Sequence, residues 1–410
     1  MKILILTQYF PPEVGAPQNR LFELAIRLNK KGTTVDILTA MPNYPQMEIH
    51  KEYKGKFYMQ EELDGLKVYR SWIFVSKSKS IPIRLMNYFS FVFSSLMIGL
   101  FKLGKYDYIL CESPPLFLGI SAYFLKIFKG SKMIFNVSDL WPESAEKLGL
   151  VTNRLFLNIS TFLEEFLYRK SYLITGQTQG IVKDISSRIP NKNVYWLPNG
   201  VDMEIFKTLN NNWRLDNNFK DDDFILLYAG IIGHAQGLEV ILNAARRLME
   251  YDNIKFVLVG NGPEKDHLLK IKEDLKLNNV FFFGVQPKSS MPYILSSVDG
   301  AIIPLKKLDI FKGAIPSKIF ETLAMRIPLL LGVEGEAKEL FIDEAKAGFA
   351  FEPENDNELS EKVLEMYNHP ELRISAGNNG FNFVQDKFTR DIIATKFWDY
   401  LSGLEDKSTT

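Results

Sequence analysis

One pattern, met twice along the chain, limits the fold more than any other feature. Short apolar runs alternate with longer stretches whose apolar residues recur at helical spacing. In the first half the short runs are residues 3–6, 35–39, 68–72, 108–111, 133–137 and 173–175. In the second half they are 224–229, 255–259, 280–283, 300–303 and 328–331. Helical stretches lie between them, among them 17–30, with Leu21, Leu24, Ala25 and Leu28 on one face, and 238–250. Apolar strands joined by crossover helices build a parallel sheet covered on both sides. The repetition therefore predicts an α/β protein of two doubly wound, Rossmann-like domains.

A chain of 410 residues suits two domains of roughly 100–200 residues each. A polar, turn-rich passage at 190–223 contains Leu197-Pro198-Asn199-Gly200-Val201-Asp202 and the run Asn210-Asn211-Asn212, and it predicts the connection. The first domain is expected at 1–197 and the second at 198–387. A final helix at 388–405, apolar on the side of Ile392, Ile393, Phe397, Trp398 and Leu401, is expected to return to the first domain. Two facing domains of this kind place the carboxyl ends of their strands around an interdomain cleft, where ligands of open α/β sheets bind. The cluster Asp221-Asp222-Asp223 precedes a strand and is expected to be a solvated loop.

Composition excludes several classes. Lys plus Arg and Asp plus Glu both number 49, so no net charge invites nucleic acid. A single cysteine, Cys111, rules out an intramolecular disulfide and a cysteine-built zinc site, and fits a reducing, cytoplasmic location. Lys2 followed at once by Ile3-Leu4-Ile5-Leu6 is expected to start a buried strand, being too short for a secretory leader. His50, His234, His267 and His369 show no zinc-ligand spacing, and no metal is expected. Neither a G-x-S-x-G elbow nor a phosphate loop of the G-x-x-x-x-G-K-[ST] type occurs.

Chemistry-bearing residues collect where strands end. After the first strand the segment 7–17 brings Gly15 and Ala16 to a helix start, where small residues and unpaired N–H groups suit a phosphate, although sterics alone ask for small residues there. In the second half Gly230 to Gly237, with Gly233 and Gln236, repeats this arrangement. Asn261 and Gly262, then Gly284, Val285 and Gln286, follow the next two strands. Three neighbouring strands ending in glycine point to close backbone approach by a ligand. In Pro316-Ser317-Lys318-Ile319-Phe320-Glu321, Ser317 is expected to cap a helix whose first turn places Lys318 and Glu321 on one face. A cation there can meet a diphosphate and a carboxylate can accept from ribose hydroxyls; the competing reading is a surface ion pair. In Ser138-Asp139-Leu140-Trp141-Pro142-Glu143, the carboxylates Asp139 and Glu143 are catalytic candidates, against a plain capping role for Asp139.

These segments together resemble the retaining GT-B glycosyltransferases of family 4 over nearly the whole chain. The resemblance rests on Phe-Pro-Pro-Glu-x-Gly (10–15), Asp-Leu-Trp-Pro-Glu-Ser (139–144), Leu-Pro-Asn-Gly-Val-Asp (197–202), Gly-Asn-Gly-Pro-Glu (260–264) and Pro-Ser-Lys-Ile-Phe-Glu (316–321). The most similar subgroup comprises bacterial O-antigen, capsule and colanic-acid enzymes, some of which transfer sugars such as N-acetylfucosamine. The resemblance implies a nucleotide-sugar donor, UDP-sugars foremost, bound by the C-terminal domain, and an acceptor carried on a polyprenyl diphosphate at the N-terminal domain. It also implies retention of configuration and no metal or other cofactor. Glu321 then contacts ribose, Lys318 the diphosphate, and Gly15 the donor phosphate loop. This chain departs from the family pattern in three places: Gly313 stands where the first glutamate of a two-glutamate signature belongs, Gln236 and Gly237 stand where many members carry Arg and Lys, and Ser138-Asp139 stands where many carry His.

The aromatic-rich segment 85–103, flanked by Arg84, Lys102 and Lys105, falls short of the ~20 apolar residues a spanning helix needs. A second apolar helix is expected at 115–128. Phe89, Phe91 and Phe93 with Arg84 and Lys102 are candidates for peripheral docking on the inner face of the plasma membrane, with core packing as the alternative. Two rival functions remain open at this point: a non-hydrolysing nucleotide-sugar epimerase and a non-catalytic nucleotide-sugar-binding subunit.

Overall fold

Ile3, Leu4, Ile5 and Leu6 are at most 2% exposed, and a strand with no polar face needs helices on both sides. The computed structural model describes residues 1–409 except Val14, Lys79 and Leu150, and leaves aside the side chains of Ile81 and of 406–409. The chain divides into two compact units, Met1–Pro198 with Ile393–Thr410, and Asn199–Ile392.

The first unit is built on β1 (Lys2–Leu6), β2 (Thr34–Ala40), β3 (Tyr58–Leu63), β4 (Leu66–Ser71), β5 (Tyr108–Ser113), β6 (Lys132–Val137), β7 (Leu173–Gly176) and β8 (Val194–Trp196). They form an 8-stranded sheet in the order β3-β4-β2-β1-β5-β6-β7-β8. Its pairs are parallel except β3 with β4. Helices α1 (Ala16–Lys30), α2 (Ile81–Lys102), α3 (Leu118–Lys129), α4 (Glu143–Lys147), α5 (Arg154–Lys170) and α6 (Gln179–Arg188) connect the strands. Leu21, Leu24 and Leu28 of α1 share one core layer with β1, while Phe91, Leu125, Leu167 and Ile185 of α2, α3, α5 and α6 share the other.

The second unit carries β9 (Phe224–Ala229), β10 (Ile254–Val259), β11 (Val280–Phe283), β12 (Gly300–Pro304), β13 (Leu329–Gly332) and β14 (Gly348–Ala350). This 6-stranded sheet has the order β11-β10-β9-β12-β13-β14 and is parallel. Its helices are α7 (Trp213–Asp216), α8 (Glu239–Arg247), α9 (Lys265–Asp274), α10 (Met291–Leu295), α11 (Lys318–Ala324), α12 (Glu336–Lys338), α13 (Asp356–Asn368) and α14 (Pro370–Lys387). The last helix, α15 (Arg390–Thr409), packs Phe397 and Leu401 into the β1 layer of the first unit, and its Trp398 indole N–H donates to Thr33 Oγ1 at 3.1 Å. Burying each such side chain stabilises by roughly 1.5–3 kcal/mol.

Three strands lie outside the apolar runs named from the sequence. β3 (Tyr-Met-Gln-Glu-Glu-Leu) and the short β8 and β14 lie at sheet edges, where one side meets solvent and the pattern thins. Helix α2, at 22 residues, is longer than its greasy stretch, and its span Pro82–Lys102 reaches a mean hydropathy of 1.4, enough by length and composition to cross a membrane. Its polar residues nevertheless bind it to the first unit. Asn87 accepts from Gln8 Nε2 at 3.1 Å and donates to Phe74 O at 2.6 Å, and Ser95 Oγ donates to Ser121 Oγ of α3 at 3.0 Å. Phe91 sits on that inner face at 0% exposure, which removes it from any membrane-facing role. A helix apolar around most of its circumference conceals from its sequence which side faces the core.

At the carboxyl ends of β5 and β6 lies a buried polar cluster joining residues far apart in sequence. Arg20 Nη2 of α1 donates at 2.6 Å to both Glu112 Oε1 and Ser138 Oγ; Ser138 and Asn136 also donate to Glu112, and Thr175 donates to Asn136 Oδ1 at 2.6 Å. Arg20 is 5% and Glu112 2% exposed. Removing one charge from a buried pair leaves the other uncompensated, at about 3–5 kcal/mol. Glu112→Gln is therefore expected to destabilise the first unit by about that much, read as a lower urea midpoint; a loss under ~1 kcal/mol, the range of an exposed pair, would contradict this role.

Candidate functional site

An open α/β sheet binds its ligand where neighbouring connections leave in opposite directions. In the second unit that point falls between β9 and β12, since the order runs β10-β9-β12. A cavity lies there, bounded by Leu227 and Ala229 of β9, Ile303 of β12, and Lys318, Glu321 and Thr322 of α11.

Lys318 and Glu321 occupy the first turn of α11, one helical step apart on the same face. The Lys318 ammonium lies 3.9 Å from the centroid of the Tyr228 ring, a cation–π contact. Part of the side chain remains accessible, yet protein encloses the ammonium, and this burial pushes its pKa down from 10.5 to about 7, with Glu321 opposing. The arrangement supplies a desolvated cation and, beside it, a carboxylate. Ser317 has helical dihedrals (φ −58°, ψ −29°) and makes no side-chain cap hydrogen bond, contrary to the capping role expected of it.

Gly230, at the end of β9, makes room for this cation. Its φ of 145° disfavours a side chain, and a Cβ there would stand 2.8 Å from Lys318 Nζ. Gly260 has the same φ, and a Cβ on it would come within 1.9 Å of Gly230 O. The two loops are also stitched together: Gly230 N donates to Val259 O at 2.9 Å, Ile232 N to Asn261 O at 3.0 Å, and Glu264 N to Ile232 O at 3.1 Å. A Cβ on Gly262 would lie 2.2 Å from Ile232 O. Packing between loops thus accounts for Gly260 and Gly262, whereas sequence pointed to close approach by a ligand. Asn261 and Val285 are exposed on the rim, Val285 at 72%.

The other donor-loop candidates lie in the same connection. Gly233 is buried against Gln236, the last residue of a 3-10 turn, and Gly237 follows with φ 58°. Ala235 O accepts from Lys306 N at 2.9 Å, tying this loop to the end of β12. Gly313 ends a 3-10 turn in which Lys312 pairs with Asp309 at 2.8 Å.

In the first unit the switch point lies between β1 and β5. The loop after β1 is fixed by Glu13: its Oε1 accepts from the backbone N–H groups of Asn43 (2.7 Å) and Tyr44 (2.8 Å), and its Oε2 from Phe10 N–H (3.1 Å). Burial pushes the Glu13 pKa up while these bonds and Arg70 oppose it. Arg70 Nη2 also donates to Pro11 O at 2.5 Å. Glu13 is therefore a structural residue of the 10–15 motif, whose Val14 lies outside the described residues. Gly15 precedes α1, which starts at Ala16-Pro17 with no side-chain cap and no acidic residue in its first turn. Gln18 packs under Gly15, and its buried Oε1 has no hydrogen-bond partner among the described residues.

After β6, Asp139 Oδ2 accepts from Ser144 Oγ at 2.8 Å. Surrounding protein raises its pKa, against hydrogen bonds from Ser144 and the Leu140 backbone. Glu143 pairs with Lys147 at 2.6 Å on the exposed side of α4, a contact worth about 0–1 kcal/mol. Between these loops an aromatic cavity is walled by Tyr9, Tyr88, Pro114, Pro115, Phe117 and Trp141. No spacing signal in the sequence marked this cavity or the Arg20–Glu112 cluster, because their members come from separate connections. Among the described residues no group of His, Cys, Asp and Glu is placed to hold a metal ion.

Comparison with known proteins places this geometry. Residues 18–205 match the family described as Glycosyltransferase Family 4, and residues 210–383 match Glycosyl transferases group 1. A relative named for colanic acid biosynthesis, the glycosyl transferase WcaI of Escherichia coli (strain K12), is 28% identical over 338 residues, 79% of this chain and 81% of its own length. The glycosyltransferase MJ1607 of Methanocaldococcus jannaschii is 22% identical over 413 residues, covering 96% of each chain. Sucrose-phosphate synthase from Thermosynechococcus elongatus superposes with a TM-score of 0.76 at 15% identity, covering 99% of both chains. Anabaena Alr3699/HepE in complex with UDP-glucose gives 0.74 at 15% identity over 98% of this chain and 100% of its own. The solved structures show the fold, two Rossmann-like α/β domains of GT-B type. The two family matches between them span nearly the whole chain, which therefore belongs to the GT-B glycosyltransferases, with a Family 4 N-terminal half and a group 1 C-terminal half.

Proposed function

We propose that this glycosyltransferase moves a hexose-type sugar from a UDP-sugar to a lipid-linked saccharide in the assembly of a bacterial surface polysaccharide. The donor is bound by the second unit and the acceptor by the first. The observation that carries the reading is the enclosed Lys318 ammonium beside Glu321 at the switch point of β9 and β12. UDP-glucose in HepE supports a uridine diphosphate carrier, and the colanic acid role named for WcaI supports a polysaccharide product. A 6-deoxy-N-acetylhexosamine is among the sugars that the resemblance to the O-antigen, capsule and colanic-acid subgroup brings into range.

In this reading the sugar keeps its anomeric configuration. The acceptor oxygen attacks C1 on the face from which the diphosphate departs. The C1–O bond to phosphate breaks as the new glycosidic bond forms, and the acceptor proton passes to the leaving phosphate oxygen. Lys318 meets the negative charge that grows on the diphosphate, and being already out of water it needs little reorganisation to do so. Glu321 accepts from the ribose hydroxyls, and no metal takes part. Asp139, rimmed by the acceptor-side loops, orients a sugar hydroxyl.

The first unit supports docking at the inner face of a membrane. Phe93 (64%) and Phe101 (78%) of α2 are exposed, as are Phe128 (65%) of α3 and Phe162 (71%) of α5. Phe89 (44%) extends the same surface, and the exposed cations Arg84, Lys102 and Lys105 stand at the ends of α2. Apolar side chains framed by cations match an anionic leaflet.

Lys318→Ala is expected to lower kcat/KM by much more than ~10-fold; near-normal initial rates would contradict the assignment, and a sugar altered without acceptor would indicate an epimerase. Because the free Lys318 loses its proton near pH 7, UDP binding should weaken above that pH by up to about tenfold per unit. Lys318→Ala should remove this dependence. In flotation, the protein should rise with anionic vesicles at low salt and stay behind at high salt. The Phe93→Ser, Phe101→Ser double variant should not rise, whereas absence of wild-type binding would remove membrane docking from the account.

A further inference from the structure

The aromatic cavity of the first unit is lined by none of the residues proposed to hold the donor. It opens at the carboxyl ends of β1 and β5, has a cavity volume of about 160 Å³, and is walled by Tyr9, Tyr88, Pro114, Pro115, Phe117 and Trp141. Phe117 connects this cavity to the outer apolar surface. Its ring centroid lies 5.5 Å from Trp141 inside and 4.9 Å from the half-exposed Phe89 outside, with Phe156 of α5 at 6.2 Å. Apolar side chains are therefore continuous from Phe89 of α2 and Phe156 of α5 to the wall of the pocket.

The walls select among occupants. Apart from the backbone and the indole N–H, their polar groups are the hydroxyls of Tyr9 and Tyr88, and Tyr9 Oη already accepts from Gln8 Nε2 at 3.1 Å. A sugar ring would bring several hydroxyls into a site with few partners, and each unsatisfied one would be costly. A branched hydrocarbon meets no such cost. A charge beside the wall residue Tyr88 adds a second requirement. Arg84 lies one turn before Tyr88 on the same side of α2, is exposed, and has no ion pair among the described residues. It is close enough to oppose the upward push that burial gives the Tyr88 pKa.

We propose that this pocket seats the isoprenoid segment adjoining the phosphate of the lipid-linked acceptor, with Arg84 meeting the phosphate. The assignment rests on the lipid-acceptor reading above and adds a subsite to it. Tyr88, Phe117 and Trp141 contact the hydrocarbon, and Phe89 marks the entrance from the membrane side. Held this way, the lipid carrier would fix the depth at which its sugar reaches the acceptor loops.

Equilibrium dialysis of the full chain against farnesyl monophosphate and against farnesol tests the pocket. Wild type should bind farnesyl monophosphate more tightly than farnesol. Arg84→Ala should weaken the phosphate by about tenfold and leave farnesol unchanged. Phe117→Ser should weaken both, Phe128→Ser neither, and a retained far-UV circular dichroism spectrum with a cooperative urea transition shows that each variant is folded. Absence of wild-type binding, or binding by Arg84→Ala and Phe117→Ser as tight as that of wild type, would overturn the proposal. If the pocket alone is misassigned, vesicle flotation and turnover with a lipid-acceptor extract persist; if the lipid-acceptor reading is wrong, both of those are lost as well.

Discussion

The enclosed ammonium of Lys318 is the constraint on which the second unit's rim depends. A cation held against the Tyr228 ring, 3.9 Å from its centroid, needs a gap in the neighbouring backbone, and Gly230 leaves that gap. Gly230 turns with a φ of 145°, which brings its carbonyl against Gly260 and obliges that position to be glycine as well. The bonds between the two loops then set Asn261 and Gly262 beside the start of α9. One charge thus shapes two connections. Its cost is visible in the fall of its pKa to about 7, and an arriving diphosphate would return that cost by supplying the missing counter-charge.

The first unit solves a different problem. The loops at the carboxyl ends of its strands are fixed by internal polar bonds: Glu13 holds three backbone N–H groups, Arg70 holds Pro11 O, and Arg20 with Ser138 converges on Glu112. These groups spend their hydrogen-bonding capacity on the protein, so they build a rigid frame. Helix α2 divides its residues similarly. Asn87, Ser90, Ser94 and Ser95 bond inward while Phe93 and Phe101 are left outside. A helix with inward polar anchors and an outward apolar face is suited to lying along a bilayer surface while remaining part of its domain.

Much of this architecture is legible in the sequence because strands buried on both faces have no polar positions. The runs at 224–229 and 280–283 coincide with β9 and β11. The antiparallel β3 is hidden because Gln60, Glu61 and Glu62 interrupt its apolar pattern at the sheet edge. Lys318 and Glu321 are readable through their spacing on one short helix. Phe91 is misleading because α2 is apolar around most of its circumference, so periodicity cannot separate the core side from the outer side. The glycines at 260 and 262 are misleading for another reason: close approach is indeed what they permit, but the approaching group is the chain itself. Arg20 and Glu112 stand 92 residues apart, and only the fold brings them together.

The central claim is that Lys318 waits, partly uncharged, for an anion. Selective isotope labelling of lysine side chains, with an NMR pH titration of the Lys318 signal assigned through Lys318→Arg, tests it most directly. Titration near pH 7 in the free protein, moving up by about two units or more when UDP is added, is the predicted result. A Lys318 that titrates near the ordinary lysine value of about 10.4 and is indifferent to UDP would contradict it.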